Sequence, residues 1–316
     1  MLIDNSGEAE LKRKSVGFLF LGECHIEYPS IVQALLEHGI ESQLIDLHDC
    51  DSVQWDQFNL INIRECRGYH HHANFLAKID LLESKLGQVP LTNSFPVIRA
   101  GIDKAIYLRE LELAGIDLIP TLWLKRQEFV SLEELFAKTG WHDFVIKPTI
   151  SSKSWNTYRV LNQGGDIQFA KAATQMVFQN ITGNTAIPEL MGSYDLCIQK
   201  FMPEIFSQGE LSFVFIDNQY SHAIRKTVAP DNWLAHEFFG GNNACYSPVK
   251  KQISWARDIF SVLQQKYGDF LYARIDAIPD SQDLRLLECE LMVPRLFLNE
   301  GNALNSYVQA INSRLL

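Results

Sequence analysis

The sequence predicts a protein of the α/β (α+β) class built from several lobes. Three observations lead there. Residues 15–63 alternate short apolar strands with one helical stretch in a β-α-β-β order, which makes a small sheet with helices packed on it. A stretch punctuated by Gly87, Pro90, Asn93, Ser94 and Pro96 then reads as a linker. Beyond it come strands of period two that turn back on themselves, above all at 271–299.

Residues 1–14 are polar and charged and read as a frayed tail. Residues 15–21 form a short buried strand, followed by the turn-like Gly22-Glu23-Cys24-His25. Helical periodicity over 29–38 stops at Gly39, and 41–45 and 59–63 are two more strands. Arg64 and Arg67 follow the third strand at its carboxyl end, where open α/β sheets tend to bind ligands. They either hold a substrate carboxylate or are surface arginines on a loop. A helix then runs to about residue 86. The consecutive histidines 70–72 at its start point in different directions, which suits a solvated helix start better than a metal site.

Asp103 can cap a helix that carries Lys104 and ends at Gly115, and Ser131 with Glu134 forms a capping box for a helix over 131–139. In 144–148, Lys147 lies among buried β residues, where a charge costs desolvation energy unless it meets an anion. The loop 149–157, with Ser151, Ser152, Ser154 and Thr157, can offer backbone N–H groups and hydroxyls to phosphates, although it lacks glycine. Residues 166–181 are expected to form an amphipathic helix and 183–193 a polar connection. Then come a strand at 196–201 and a hairpin of 210–216 with 219–226, turning at Asp217-Asn218 and carrying Arg225 and Lys226 at its far end. A loop at 232–244 and helices over 248–267 and 303–315 complete the chain.

In the hairpin 271–299, a polar turn at 279–283 joins two strands. Side chains two apart on a strand share a face, so Glu288 and Glu290 point the same way and folding brings Asp276 opposite or diagonal to them. Two like charges roughly 5 Å apart cost about 3 kcal/mol at an effective dielectric near 20, so the patch calls for a cation. All-oxygen donors suit Mg2+ carrying substrate phosphates. The alternative is a solvated edge hairpin whose charges face water.

The 316 residues carry a net charge of −10, from 28 basic and 38 acidic side chains, which argues against a nucleic-acid-binding surface. The six cysteines are scattered without CxxC spacing, as in reduced, packed thiols. No signal-peptide core and no apolar run of membrane-spanning length is found, so a soluble, cytoplasmic protein with no membrane partner is expected. The Gly22-Glu23-Cys24-His25 turn lacks the glycines of a dinucleotide fingerprint.

A set of segments over roughly residues 90–300, taken in order, resembles the ATP-grasp superfamily. Within it the chain is similar to prokaryotic glutathione synthetase and, more closely, to the D-cycloserine synthetase-like group. The segments are Asp103-Lys104; Val145-Ile146-Lys147-Pro148 with its small-residue loop; 198–205 with Gly209-Glu210-Leu211-Ser212; 221–226; Tyr272-Ala273-Arg274-Ile275-Asp276; and Glu288-Cys289-Glu290-Leu291 with 294–298. The resemblance implies an ATP-grasp fold. An N-terminal Rossmann-like pre-ATP-grasp unit would span 1–92 and the ATP-grasp domain 93–316, with a lid lobe at about 118–200 and a C-terminal lobe at about 201–316.

By position, the resemblance implies that Lys104 and Lys147 contact the nucleotide phosphates and that Ser151, Ser152, Ser154 and Thr157 lie on a closing lid. Gln199, Lys200 and Phe201 would read the adenine edge and Glu210 the ribose hydroxyls. Asp276, Glu288 and Glu290 would carry Mg2+, and Arg225, with Lys226 and Arg274, would stabilise the transferring phosphoryl group. The implied reaction is ATP-dependent ligation of a carboxylate to an amine, or an intramolecular cyclisation, through an acyl-phosphate. The substrates would be small molecules or peptides, with a homodimer as one open arrangement. A phosphotransferase of the same fold and a nucleotide-binding protein without turnover are the alternatives.

Three positions depart from the pattern. Leu234 or its neighbours stand where an arginine is expected before Gly240-Gly241, so that a phosphate or intermediate contact is either missing or supplied by His236. Arg99-Ala100-Gly101 replaces a more usual tryptophan and asparagine. Arg295 follows Pro294 where a small residue is common, which suggests a more anionic substrate.

Overall fold

The computed structural model describes residues 14–172, 179–180, 186–281 and 283–315. The expected tail, apart from Lys14, therefore lies outside the described residues, as do 173–178 and 181–185 of the helix and connection expected at 166–193.

The first sheet holds β1 (Ser15–Phe20), β2 (Glu41–Asp46), β3 (Leu60–Glu65) and β4 (Leu91–Thr92) in the order β2-β1-β3-β4, all parallel. Crossovers through α1 (Tyr28–Glu37) and α2 (Phe75–Leu86) connect them, as parallel pairing requires. Gly17 lets the strands close up, since a Cβ there would stand 2.6 Å from Ile45 Cδ1 and 2.8 Å from Ile61 Cδ1. The expected linker is no free tether. Buried Asn93 donates to the carbonyls of Tyr272 and Leu291 at 2.8 and 2.7 Å and accepts from Leu271 N at 2.9 Å, pinning the first sheet to the far end of the chain.

Two short helices follow, α3 (Phe95–Gly101) and α4 (Lys104–Leu113), the second capped by Asp103, whose carboxylate accepts from Ala105 N. The second sheet is antiparallel among its assigned pairs, with β5 (Thr121–Leu124), β6 (Asp143–Pro148), β7 (Tyr158–Gln163), β8 (Asp166–Lys171), β9 (Gln179–Asn180) and β10 (Leu196–Lys200) in the order β5-β10-β6-β7-β8-β9. Helix α5 (Leu132–Thr139) starts with the expected capping box of Ser131 and Glu134.

The helix expected from 166 is instead strand β8. Gly164 and Gly165, at φ of 64° and 102°, turn the chain tightly enough to pair Gln163 with Asp166, and Phe169 then packs on Tyr158. Conversely, the expected polar connection contains α6 (Ala186–Ser193), which buries Ile187, Leu190 and Met191 at helical spacing.

The third sheet runs β13-β12-β11-β14-β15 and is antiparallel: β11 (Glu210–Ile216), β12 (Gln219–Thr227), β13 (Asn242–Tyr246), β14 (Tyr272–Asp280) and β15 (Asp283–Glu290). A short α7 (Glu204–Gln208) leads into it, and β13 lies at the end of the stretch expected to be loop. One face is covered by α8 (Lys250–Tyr267) together with α4, through Phe213, Phe215, Ile259, Phe260 and Tyr107. On the other, Val214, Ile216 and Tyr272 meet α9 (Ala303–Ser313) and the first unit through Phe18, Ile31, Leu35 and Tyr307. Fully buried side chains of this size each contribute roughly 1.5–3 kcal/mol, so this shared core holds the first and third sheets together.

Candidate functional site

The chain leading into the second sheet joins the third along β15, an edge strand of the latter. Ile119 N donates to Leu286 O and Leu286 N to Asp117 O, both at 3.0 Å, tying the approach to β5 onto β15. A cavity opens between the two sheets, with about 150 Å3 open to the centres of water-sized spheres. Ile119, Val145, Phe201, Trp233, Ile278 and Leu287 line one part with apolar surface, while Lys104, Lys147, Ser151, Ser152, Thr157 and Glu288 line another. A flat apolar group with an anionic tail fits such a division. Of the apolar wall, Val145, Phe201, Ile278 and Leu287 stood in segments singled out from sequence. The others come from distant loops and carry no local signal.

Lys147 is buried in mid-strand β6, as its position in the chain predicts, and its Nζ lies 3.6 Å from Glu288 Oε2. Lys104, in the first turn of α4, reaches the same oxygen at 3.8 Å and donates to Ser151 O at 2.9 Å. Burial pushes the Glu288 carboxyl up, but the two lysines more than reverse this and hold it below the ordinary range. Gln199 is buried, its amide donating to Leu287 O at 3.3 Å. The N–H groups of Lys200 and Phe201 already donate to Pro120 O and Asp143 O.

Across the β14–β15 pair, Asp276 stands opposite Glu288 and Arg274 opposite Glu290, so the three acids share one face. The cations that relieve their crowding belong to the chain itself. Arg274 clasps Asp276 through Nε and Nη2, at 2.8 and 2.6 Å, and lies 3.5 Å from Glu290. Lys226 Nζ is 3.3 Å from Asp276 and 2.5 Å from Glu210, its cross-strand neighbour. Ser212 donates to Asp276 at 2.6 Å. Burial raises the Asp276 carboxyl, yet Arg274 and Lys226 reverse this and keep it ionised far below the usual range. Glu210 moves the other way. Burial lifts it to about 7, with Lys226 opposing and Asp276 adding to the rise.

Among the described residues no group of three or more His, Cys, Asp or Glu side chains is arranged as a metal cage. Asp276, expected as a third metal carboxylate, is fully buried, and both its oxygens accept from Arg274. Glu288 and Glu290 remain at the cavity wall with 22% and 29% of their side chains exposed. Two carboxylates alongside phosphate oxygens and water fit Mg2+, which rarely uses an all-protein cage.

Arg225 differs from expectation. Strand alternation puts it on the face opposite Lys226, paired with buried Leu211, and its guanidinium lies 4.5 Å over the Tyr246 ring. It lines neither this cavity nor the next.

A second cavity adjoins the first and shares Ser152, Lys153, Ser154, Glu210, Glu288 and Glu290 with it. Arg67, Arg274, Arg295, His25 and His236 also line it. Arg295 pairs with Glu237 and lies 4.8 Å over Phe297. His236, the candidate for the contact of the arginine expected beside Leu234, is exposed, and its imidazole is lowered, to about 4, by the partial desolvation of its ring and by Lys226 and Arg274. Leu234 itself lines both cavities.

Arg64 is fully enclosed and does not reach either cavity. It pairs with Glu27 and donates to Pro294 O at 3.3 Å, while Glu27 accepts from Leu296 N and Leu298 N at 3.1 and 2.8 Å. That knot fixes the segment carrying Arg295. Both readings of Arg64 from sequence, substrate contact and surface residue, are thus replaced by a buried anchor.

The hydroxyl-rich loop crosses from the second sheet to the first unit. Lys153 pairs with Glu23, Tyr69 Oη donates to Ser151 O at 3.2 Å, and Trp155 packs edge-on to His70 and His71 at 5.5 and 5.4 Å. The histidine run is therefore a packing partner of this loop as well as a surface turn. Lys153, Ser154 and Asn156 all have φ between 50° and 58°, which turns the backbone without glycine.

No protein-family model and no curated protein matches the chain. Solved structures do. The crystal structure of D-cycloserine synthetase DcsG superposes with a TM-score of 0.76 at 22% identity, covering 96% of this chain and 100% of that one. D-alanine–D-alanine ligase from Bacillus anthracis, complexed with ATP, gives a TM-score of 0.62 at 14% identity over 95% and 98%. The ATP-grasp ligase PsnB, complexed with minimal precursor, Mg and ADP, gives 0.55 at 14% over 95% and 98%. The chain has the ATP-grasp fold.

Proposed function

We propose that the protein is an ATP- and Mg2+-dependent ligase that joins a carboxylate to an amine, or closes one on the other within a single molecule, through an acyl-phosphate. One observation carries this reading: the apolar-to-lysine cavity and the arginine-lined cavity meet at Glu288, Glu290 and the 152–154 loop. A nucleotide in the first would present its terminal phosphate to an acid in the second. Structures of the same fold bound to ATP, or to Mg and ADP with a peptide precursor, support the choice of cosubstrate. In this reading 1–92 is the pre-ATP-grasp unit, 118–200 the lid lobe and 201–316 the C-terminal lobe; the three sheets fall within those segments.

The carboxylate oxygen attacks the γ-phosphorus, and the bond to the β-phosphate oxygen breaks to release ADP. The amine nitrogen then attacks the acyl carbon, phosphate leaves, and the amine proton passes to solvent. Lys104 and Lys147 would hold the phosphates, with Gln199, Lys200 and Phe201 beside the base and Glu210 by the ribose. Lys226 and Arg274 would face the oxygens of the transferring group, where fixed positive charge lowers the barrier. Glu288 and Glu290 would hold Mg2+, which when bound neutralises charge on phosphate oxygens. Ser151, Ser152, Ser154 and Thr157, on the loop stapled by Trp155, would exclude water from the acyl-phosphate. The substrates are small molecules or peptides, and six unpaired cysteines suit a reducing, cytoplasmic setting.

The test supplies ATP, Mg2+ and a panel of acids, with hydroxylamine to trap any acyl-phosphate as a hydroxamate. Hydroxamate and ADP appearing together support the ligase. A stable phosphorylated product without amine would instead make it a phosphotransferase, and ATP binding without phosphate release across the panel would make it a binding protein.

A further inference from the structure

The second cavity holds more positive charge than activating one carboxylate requires. Arg274 is committed to Asp276, Glu290 and the carbonyl of Arg295. Arg67 is not committed. It is half-buried in the cavity wall and, among the described residues, takes part in no hydrogen bond or ion pair. Arg295 reaches the same cavity on the segment that Arg64 and Glu27 clamp; among the described residues its buried Nε has no partner and its one ion pair is with the half-exposed Glu237. We propose that the acid bound here carries a second anionic group, gripped by Arg67 and Arg295, besides the carboxylate that is activated. This deepens the ligase reading and rests on it for the place of the reacting carboxylate.

The physical argument is desolvation. Burial disfavours the Arg67 guanidinium, Arg64 adds to this, and the opposing charges of Glu65, Glu290 and Glu27 offset it only in part. A guanidinium turned into a cavity without a partner is a standing cost that a bound anion removes. Its planar fork matches a carboxylate or phosphate through two parallel hydrogen bonds. The neighbouring imidazoles add no charge. His25 is held far below its ordinary value by burial and by Arg64, Arg67 and Arg295, and His236 is likewise neutral. The selective cations are therefore these two arginines. Glu237 sits on Arg295 as a stand-in that an incoming anion would displace.

The test measures binding to the full chain by calorimetry with matched probes in which a methyl group becomes a carboxylate, butyrate against succinate, 2-aminobutyrate against aspartate and norvaline against glutamate, or a hydroxyl becomes a phosphate, serine against phosphoserine. In at least one pair the dianion is expected to bind about 10-fold more tightly or better, the gain of one charge-assisted bidentate contact. The gap should shrink below about threefold in Arg67→Gln and in Arg295→Gln. The last pair, against the first three, shows whether phosphate or carboxylate is preferred. No gap in any pair, or a gap unchanged in both variants, overturns the proposal; if Arg67→Gln does not fold, Arg295→Gln decides. Hydroxamate formation is read separately. A dianion preference in binding with no trapped acyl-phosphate sinks the ligase reading alone. Hydroxamate formed equally well from both members of every pair sinks this inference alone.

Discussion

Arg274 and Asp276, two residues apart on one strand, form a two-pronged ion pair of 2.8 and 2.6 Å at the back wall of the site, with Asp276 fully buried. The acid expected to carry a metal ion also holds two cations of the chain, Arg274 and Lys226. Asp276→Asn keeps the shape and removes the charge, leaving Arg274 and Lys226 underneutralised. Breaking one side of a buried pair costs about 3–5 kcal/mol, and the urea midpoint should fall accordingly. A loss below about 1 kcal/mol would contradict this placement.

Arg64 and Glu27 make a similar bet elsewhere. Arg64→Met strands a buried carboxylate that also receives two backbone N–H groups, so destabilisation of about 3 kcal/mol is expected. Adding Glu27→Gln should return part of it, since the unpaired charge is then gone. A double-mutant cycle by urea denaturation reads the coupling.

Lys147 on β6 and Arg225 on the far face of β12 predict opposite outcomes for ATP. Lys147→Met should raise the Kd for ATP about 10- to 100-fold, the worth of a charge-assisted contact. Arg225→Ala, on the far face against Tyr246, should change it less than about threefold. Fluorescent-nucleotide competition checks both, and equal losses would return Arg225 to the site.

Glu210 sets a pH dependence whose sign follows from its raised carboxyl. Its folded-state value near 7 lies above the unfolded one of 4.5. Between these values the folded chain holds the extra proton, so the stability it contributes is full below pH 4.5 and is lost as pH rises through 7. In Glu210→Gln that loss disappears. The variant should therefore gain on the wild type by up to about 3 kcal/mol between pH 4.5 and 8 in thermal melts. A constant difference across that range would refute the assignment.

Glu288→Gln should abolish turnover while barely moving the melting temperature. It relieves repulsion from Asp276 but also deprives Lys104 and Lys147 of their shared partner, so the two effects offset. Unchanged ATP consumption would remove Glu288 from the metal-holding role.

Much of this was legible in the chain. Period-two alternation put Asp276, Glu288 and Glu290 on one face, and a lysine in mid-strand at 147 announced an anion, because a buried charge needs a partner. The capping residues Asp103, Ser131 and Glu134 act as their local chemistry dictates. Local signals failed where two periods compete. The turn at Gly164-Gly165 made 166–171 a strand, and burial of Ile187, Leu190 and Met191 made a polar-looking stretch a helix.

What tertiary structure alone decided is which charges face which. Arg64 and Arg67 are three residues apart at one strand end, yet one is sealed against Glu27 and the other opens on a cavity, because Glu27 and the 294–298 segment arrive from distant parts of the chain. Arg225 and Lys226 are adjacent, and the pleat separates them to opposite faces. Pairing energies depend on distance and desolvation, and both are properties of the packed molecule rather than of residue order.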